Sequence, residues 1–208
     1  DEGPREMGVE RKGFWLVNCK IMKRIILASN SPRRRELLGG LDLDFEVKVL
    51  PDIDESYPDN LPAAEVAGYI SREKAAPYRT LIGEGDLVIT ADTVVIVRDE
   101  VLGKPKDAED ARRMLQLISG RTHQVITGVC LLTTDKEHAF SVTTDVTFKQ
   151  LLEDEITYYI EHYKPFDKAG AYGIQEWIGY VGVTSINGSY FNVMGLPVQR
   201  LWEEIKKF

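Results

Sequence analysis

The sequence predicts a mixed α/β fold, because strand and helix patterns alternate along most of the chain and a long hairpin interrupts that alternation. Apolar runs rich in β-branched residues predict buried strands over residues 25–29 and 87–97. Two β-type segments, residues 122–134 and 139–150, are joined by a polar turn and predict an antiparallel hairpin. A hairpin is incompatible with a purely parallel sheet, so the sheet is expected to be mixed.

Helices are predicted from capping residues and from apolar residues spaced three or four apart. Ser31 and Pro32 form an N-cap and the proline of a first helical position, which predicts a helix start. The predicted helices cover residues 32–38, 66–76, 108–118, 153–163 and 197–206. A short half-buried strand is expected over 45–49. Four glycines predict a loop-rich stretch over 170–182, and a strand is expected over 181–186.

Composition and charge exclude several classes of protein. Of the 208 residues, 43% are hydrophobic and 28% are charged, which is typical of a globular domain with its own core. The formal net charge of −7 argues against a nucleic-acid binder. Cys19 and Cys130 form no C-x-x-C pair and are interpreted as reduced thiols of a cytoplasmic protein. No apolar stretch approaches the roughly 18 residues of a membrane span.

The chain is interpreted as one domain preceded by a short extension. Residues 1–21 mix acidic and basic side chains and carry no apolar run long enough for a signal peptide. They are expected to be poorly ordered. The domain is expected to cover residues 22–208, and no internal repeat or low-complexity segment interrupts it.

The first candidate site lies where the predicted strand over 25–29 meets the helix that follows it. Ser29 and Ser31 place hydroxyls at the helix N-terminus, and Arg33 and Arg34 follow directly. Cations at the positive end of a helix dipole are not explained by local stability. An anion bound between backbone N–H groups and guanidinium groups explains them. The alternative is a capped surface helix with solvated arginines.

Asp92 is the second candidate, because it lies inside the apolar strand pattern over 87–97. A carboxylate in such a strand is costly unless it is paired, hydrogen-bonded or bound to a metal ion. Burial without a cation would suit a general base, whereas a nearby Mg²⁺ or lysine would favour the ionised form. The alternative is an aspartate at a strand bulge that satisfies backbone groups.

A third set of charged residues depends on the fold to bring its members together. Glu55 lies in an acidic loop over 51–62, Lys74 lies on a predicted helix, and Lys104 lies between Gly103 and Pro105. Lysine binds phosphate as a point charge, and carboxylates hold Mg²⁺ through one or two ligands and several waters. Taken singly, each of these residues is more simply explained as a solvated surface residue. The histidines and cysteines have no zinc spacing.

These residues and their neighbours form a series of motifs that resembles the Maf family of nucleoside triphosphate pyrophosphatases. The motifs are found, in order, at residues 25–38, 54–55, 72–75, 91–94, 103–105, 119–123, 167–175, 187–190 and 195–197. The series covers nearly all of the chain from residue 23 onward, and its combination is far more specific than any single motif. One departure is Glu176-Trp177, where relatives commonly have a glycine.

The resemblance implies an elongated mixed β-sheet flanked by helices, with a cleft between two lobes, similar to inosine triphosphate pyrophosphatase-like folds. It implies hydrolysis of a nucleoside triphosphate between the α and β phosphates, with a divalent metal cation, Mg²⁺ or Mn²⁺. By the same resemblance, Asp92 accepts the proton of the attacking water and, with Glu55, contacts the metal. The catalytic residues implied are Asp92, Glu55, Lys74 and Lys104. The substrate-binding residues implied are Ser29, Ser31, Arg33, Arg34, Thr93, Lys168 and Gln175.

Three positions are similar to one subgroup of that family. Arg33, Thr93 and Gln175 match the subgroup that acts on dTTP and UTP, whereas the subgroup acting on 7-methylguanosine triphosphate has Trp, Gln and Glu there. A neutral amide both donates and accepts hydrogen bonds, which suits the imide edge of a pyrimidine. Two alternatives stay open: a nucleotide-binding regulator of septum formation with little turnover, and an enzyme that removes modified pyrimidine nucleotides. The expected partner is a small-molecule nucleoside triphosphate, and homodimerisation is left open.

Overall fold

The computed structural model describes residues 24–208, which form a mixed sheet with helices packed on both faces. The strands are β1 (Arg24–Leu27), β2 (Glu46–Val47), β3 (Asp86–Val97), β4 (Glu100–Leu102), β5 (Thr122–Leu132), β6 (Glu137–Phe148) and β7 (Val183–Asn187). The helices are α1 (Pro32–Gly39), α2 (Val66–Ala75), α3 (Ala108–Ile118), α4 (Glu153–Tyr163), α5 (Trp177–Gly182), α6 (Tyr190–Met194) and α7 (Val198–Ile205). The extension expected over residues 1–21, which includes Cys19, lies outside the described residues.

The order of the strands confirms the predicted mixed α/β class. The sheet runs β2-β1-β3-β5-β6-β7, and β4 pairs with the end of β3. β1 pairs in parallel with β2 and with β3, whereas β3, β5, β6 and β7 pair antiparallel in that order. The predicted hairpin is therefore the β5–β6 pair. None of the helices within residues 24–208 is long and apolar enough to cross a bilayer.

Helices with strong local signals begin where the sequence predicts. The Ser31 hydroxyl accepts a hydrogen bond from the backbone N–H of Arg34 at 3.4 Å, and Pro32 occupies the first helical position of α1. The Asp107 carboxylate accepts from the N–H of Asp110 at 2.8 Å and caps α3. Both contacts satisfy N–H groups that have no partner inside the helix.

The predictions for the glycine-rich stretch and for β2 are wrong in detail. Residues expected to be loop contain α5, and β7 begins at Val183 rather than at residue 181. No side-chain cap opens α5, and a Cβ at Gly179 would lie 1.8 Å from the Ile174 carbonyl oxygen. This short helix depends on tertiary packing around a glycine, for which the sequence has no capping signal. The strand expected over 45–49 is reduced to Glu46–Val47.

Two large apolar clusters lie on either side of the middle of the sheet. One cluster packs α3, α4 and α5 against β5 and β6, with Leu115, Phe148 and Tyr159 fully buried within it. The other packs α1 and α7 against β1 and β3 around Leu38 and Leu201. The residues between these clusters are more polar, and this is where a cleft opens.

The backbone of α2 lies directly on the sheet at Gly128. Gly128 on β5 is paired with Asp92 on β3. A Cβ at Gly128 would lie 2.4 Å from backbone atoms of Ala67 and Gly68 in α2, which is closer than any carbon tolerates. The glycine thus permits the contact that brings the far end of α2, with Lys74, over Asp92.

We expect Gly128→Ala to destabilise the fold by about 1–3 kcal/mol or more, because α2 must move away from the sheet. Chemical denaturation measures the change. Gly39→Ala is the matched control, since a Cβ at Gly39 meets nothing within 4 Å. A Gly128→Ala protein as stable as the wild type would contradict the close packing described for α2.

His123 is a buried titratable residue in the core, 2% exposed and 2.6 Å from the Tyr172 hydroxyl through Nε2. Burial lowers the pKa of His123 from 6.5 to about 4. Between pH 6.5 and about pH 4, the unfolded chain therefore binds a proton at His123 that the folded protein does not bind. The folded protein has the full contribution of neutral His123 to its stability above pH 6.5, and it loses that contribution as the pH falls toward 4.

We expect this residue to contribute a loss of about 3 kcal/mol at most in the free energy of unfolding between pH 7 and pH 4. Urea denaturation across that range measures it, and His123→Gln should show a shallower pH dependence than the wild type. The matched control is His162→Gln, which makes the same substitution at an exposed position. If the free energy of unfolding depended on pH equally in the wild type and in His123→Gln, burial of His123 would not be the cause of the pH dependence.

Candidate active site

A cavity of about 670 Å³ opens between the two apolar clusters. Its walls come from the end of β1, the start of α1, the middle of β3, and the segment between α4 and α5. The eleven residues predicted from the sequence all line it: Ser29, Ser31, Arg33, Arg34, Glu55, Lys74, Asp92, Thr93, Lys104, Lys168 and Gln175. Residues separated by most of the chain are thus brought into one site.

Asp92 and Lys74 form an ion pair on the floor of the cavity. Lys74 Nζ lies 3.0 Å from Asp92 Oδ1 and also donates to the Ala91 carbonyl at 3.2 Å. The side chains of Asp92 and Lys74 are each 14% exposed. Glu55 Oε1 lies 3.2 Å from the same ammonium group, and its side chain is 55% exposed. One lysine therefore joins an inner and an outer carboxylate.

The alternative explanation of Asp92 as a bulge residue is wrong. The pairing of β3 with β5 is regular on both sides of Asp92, which stands opposite Gly128. The carboxylate is satisfied by a side chain from α2 rather than by local backbone groups. Its other oxygen, Oδ2, accepts no hydrogen bond from any residue in the described part of the chain.

Arg34 is fixed inside the cavity wall rather than solvated. Its Nε donates to the Gly195 carbonyl at 2.8 Å, and its Nη2 donates to Thr93 Oγ1 at 3.1 Å. Burial lowers the pKa of the Arg34 guanidinium, and the Asp92 carboxylate opposes that shift. The interpretation of α1 as an ordinary surface helix is therefore wrong for Arg34.

The N-terminus of α1 lies beside this arginine. The Ser31 N–H donates to Ser29 Oγ at 3.2 Å, and Ser29 itself is buried. Because the first N–H groups of a helix lack intrahelical acceptors, this end of α1 favours an anion. The candidate anion site predicted from the sequence thus faces the same cavity as Asp92.

The opposite wall carries a second set of ion pairs. Asp167 bridges Arg33 Nη1 at 3.3 Å and Lys168 Nζ at 3.0 Å. Lys168 Nζ also lies 3.2 Å from Glu176 Oε1, which accepts a hydrogen bond from the buried Tyr159 hydroxyl at 3.0 Å. These contacts connect the start of α1 to the wall that carries Gln175.

Gln175 and Lys104 lie on the same side of the cavity. The Gln175 side-chain oxygen, Oε1, is buried and has no hydrogen-bond partner among residues 24–208. Lys104 is exposed at the rim, and its segment is joined to this wall because Gly170 N donates to the Gly103 carbonyl at 3.1 Å. A buried unpaired acceptor is costly, which points to a donor supplied by a ligand.

Sequence reasoning missed several residues of the site. Asp167 belongs to one of the sequence motifs, which assign it no role, and it pairs with Arg33 and Lys168. Gly195 contributes a backbone carbonyl, for which side-chain patterns carry no signal. Tyr57 lines the cavity from the acidic loop, and its position between an acidic pair and Pro58 was the available hint.

Two carboxylates of the cavity share one cation, the ammonium group of Lys74. Within residues 24–208, no group of three or more histidine, cysteine, aspartate or glutamate side chains is arranged to hold a metal ion. Asp92 and Glu55 do converge on one point, the ammonium of Lys74. Mg²⁺ commonly binds one or two carboxylates together with phosphates and waters, and oxygen donors of that kind are present here in Asp92 and Glu55.

Known proteins resemble this chain over nearly its whole length. The chain is 61% identical over 184 residues to the dTTP/UTP pyrophosphatase of Phocaeicola vulgatus, which covers 88% of this chain and 95% of that protein. It is 58% identical over 193 residues to the dTTP/UTP pyrophosphatase of Parabacteroides distasonis, which covers 93% of this chain and 100% of that protein. Among solved structures, the Staphylococcus aureus Ham1 protein matches with a TM-score of 0.44 and 15% identity, over 61% of this chain and 72% of that chain.

The family model described as Maf-like protein matches residues 24–208. This range includes both walls of the cavity, the strand that carries Asp92 and the helix that carries Lys74. The resemblance inferred from the sequence motifs is thereby confirmed. This chain belongs to the family of Maf-like proteins.

Proposed function

We propose that this chain hydrolyses nucleoside triphosphates, preferentially dTTP and UTP, between the α and β phosphates to give the monophosphate and pyrophosphate. The observation that carries the proposal is the Asp92–Lys74 pair, placed beside Arg34 and the N-terminus of α1 in one cavity. The relatives named dTTP/UTP pyrophosphatase support the reaction and the substrate class. A volume of about 670 Å³ suits a nucleotide-sized ligand.

Cations of the cavity would bind the triphosphate. Arg34 offers a planar guanidinium to phosphate oxygens, while Lys74 and Lys104 act as point charges. The N–H groups at the start of α1, with Ser29 and Ser31, add donors for one phosphate group. Because these groups are held in place before substrate arrives, they stabilise the charge that develops on the departing pyrophosphate.

Asp92 would activate the attacking water. Lys74 donates to Oδ1, which leaves Oδ2 to accept a proton from water. The water oxygen then forms a bond to the α-phosphorus, and the bond from that phosphorus to the bridging oxygen breaks. The electron pair leaves with pyrophosphate, and the proton stays on Asp92 until solvent removes it.

A divalent cation belongs to the proposal. Asp92 and Glu55 would hold Mg²⁺ or Mn²⁺ together with phosphate oxygens of the substrate. Such an ion, when bound, neutralises phosphate charge. Glu55 suits the outer position, because its side chain is more exposed than that of Asp92.

Gln175 would read the base. Its buried Oε1 is an acceptor without a partner among residues 24–208, and the N3–H of uracil and thymine is a donor that would pair with it. Cytosine has an acceptor at N3, so it would leave the Gln175 oxygen unpaired. Arg33 and Lys168 lie on the same wall and would contact the nucleotide there.

The remaining parts of the proposal concern the protein as a whole. We place the hydrolase in a single domain over residues 22–208, acting in the cytoplasm on a free nucleotide. Assembly as a homodimer is retained as an open proposal. Modified pyrimidine nucleotides are a second substrate class.

Asp92→Asn is expected to lower kcat for dTTP at least about 100-fold with the fold intact, because the amide cannot accept the proton of water. Product-resolved hydrolysis with Mg²⁺ or Mn²⁺ measures the loss. Asp99→Asn is the matched control, since it makes the same change in the exposed turn after β3, where a positive φ of 65° is well tolerated by asparagine.

Turnover by Asp92→Asn close to the wild-type rate would remove Asp92 from this role. If the wild type bound dTTP but turned over no triphosphate, the enzyme proposal would fail and a nucleotide-binding regulator would replace it. Pyrophosphate among the products distinguishes cleavage after the α-phosphate from removal of the terminal phosphate.

Gln175→Met is expected to reduce kcat/KM for dTTP and UTP roughly tenfold, the effect of one lost hydrogen bond, while CTP changes little. Steady-state kinetics on the three nucleotides measures the change. Gln116→Met on α3, an exposed position outside the cavity, is the control. An equal loss for all three nucleotides would show that Gln175 does not discriminate between bases.

A further inference from the structure

A line of hydrogen bonds runs behind the cavity from Arg34 to the backbone of α6. Arg34 Nη2 lies 3.1 Å from Thr93 Oγ1, which lies 2.8 Å from Thr127 Oγ1. Thr127 Oγ1 lies 3.2 Å from the Asn192 carbonyl oxygen. Thr127 is fully buried and does not line the cavity, so the proposed reaction gives it no direct contact with substrate.

The protons in this line have only one arrangement. A guanidinium group only donates and a carbonyl oxygen only accepts, while each threonine hydroxyl has a single proton. The Thr127 proton must therefore point to the Asn192 carbonyl, and the Thr93 proton must point to Thr127. The lone pair that remains on Thr93 accepts from Arg34. Thr93 thus has no proton with which to donate to a nucleotide.

The guanidinium has a second fixed contact, to Gly195 directly after α6. Arg34 Nε donates to the Gly195 carbonyl at 2.8 Å, and Gly195 N donates back to the Asn192 carbonyl at 3.0 Å. The buried Asn192 side chain anchors α6, since its Nδ2 contacts the carbonyls of Val125 at 3.3 Å and Val142 at 3.0 Å. Two of the three guanidinium nitrogens are therefore linked to Asn192, Nε through Gly195 and Nη2 through Thr93 and Thr127.

We propose that Thr127 is a positioning residue for Arg34, acting through the hydroxyl of Thr93. By accepting the Thr93 proton, Thr127 turns the Thr93 lone pair toward Arg34 and sets the plane of the guanidinium. The orientation of that plane determines whether Nη1 and the free N–H of Nη2 would face the phosphates of a bound nucleotide. Position 93 then affects substrate by way of Arg34 rather than by its own donation. The substrate effect rests on the proposed function, whereas the positioning itself does not.

Thr127→Val tests the proposal, because valine has the same shape as threonine and lacks the hydroxyl. KM for dTTP is expected to rise roughly tenfold, since a misoriented Arg34 loses about one hydrogen bond to phosphate. Thr127→Ser keeps the hydroxyl and should restore the wild-type KM. Thr90→Val is the matched control, because Thr90 is equally buried, donates to the Ser71 carbonyl at 2.6 Å and does not line the cavity.

A double-mutant cycle separates positioning from general stability. In an Arg34→Met background, adding Thr127→Val should change KM less than twofold, because the residue it acts through is absent. A roughly tenfold rise in KM on adding Thr127→Val to both the wild type and the Arg34→Met variant would overturn the proposal. So would an unchanged KM in Thr127→Val, or an equal increase in Thr90→Val.

A measurement without substrate keeps the proposal independent of the reaction. The Nε–H proton of Arg34 can be followed by NMR in the free protein, where the two bonds restrict rotation of the guanidinium. Thr127→Val should accelerate that rotation, and Thr127→Ser should not. If Thr127→Val does not fold, Thr93→Val removes the acceptor of Arg34 directly and should give the same acceleration. Unchanged rotation would refute the positioning even if dTTP hydrolysis is confirmed.

Discussion

The structure is built around a carboxylate in the middle of an apolar strand. An unpaired charge at Asp92 would cost several kcal/mol to desolvate, and its pairing with Lys74 at 3.0 Å offsets that cost. The pairing requires α2 to rest on the sheet, which a residue without a Cβ at Gly128 permits. Strand β3, helix α2 and Gly128 are therefore all needed for the Asp92–Lys74 pair, and the cavity forms where they meet.

Most of the charged side chains of the cavity are paired with one another before any ligand enters. Lys74 is paired with carboxylates on the floor, and Arg33 and Lys168 share Asp167 on the wall. Arg34 differs, because its described partners are a backbone carbonyl and a threonine hydroxyl, which leave its charge uncompensated by direct ion pairing. A bound polyanion would interact directly with this guanidinium. The orientation of the planar group is set by its neutral partners.

Elements with a signal in their own residues were predicted, and elements stabilised by distant residues were not. The capping side chains of Ser31 and Asp107 lie within three residues of the N–H groups they satisfy, so α1 and α3 were predictable. The β5–β6 hairpin follows from a polar turn between two long β-type segments. In contrast, α5 has no side-chain cap and packs through Gly179 against Ile174. Nothing in its local composition distinguishes it from a loop.

The sequence alone determined the mixed α/β class, the family and eleven of the polar residues that line the cavity, because each of these depends on motifs and on local apolar patterning. The tertiary structure decided how those residues pair. The Asp92–Lys74, Thr93–Thr127 and Arg33–Asp167 contacts join positions that are 18, 34 and 134 residues apart. Strand register and helix placement bring them together, and neither leaves a pattern in the residues themselves. The role of Thr127 emerged for the same reason only from the folded chain, where a buried hydroxyl meets a partner on the neighbouring strand.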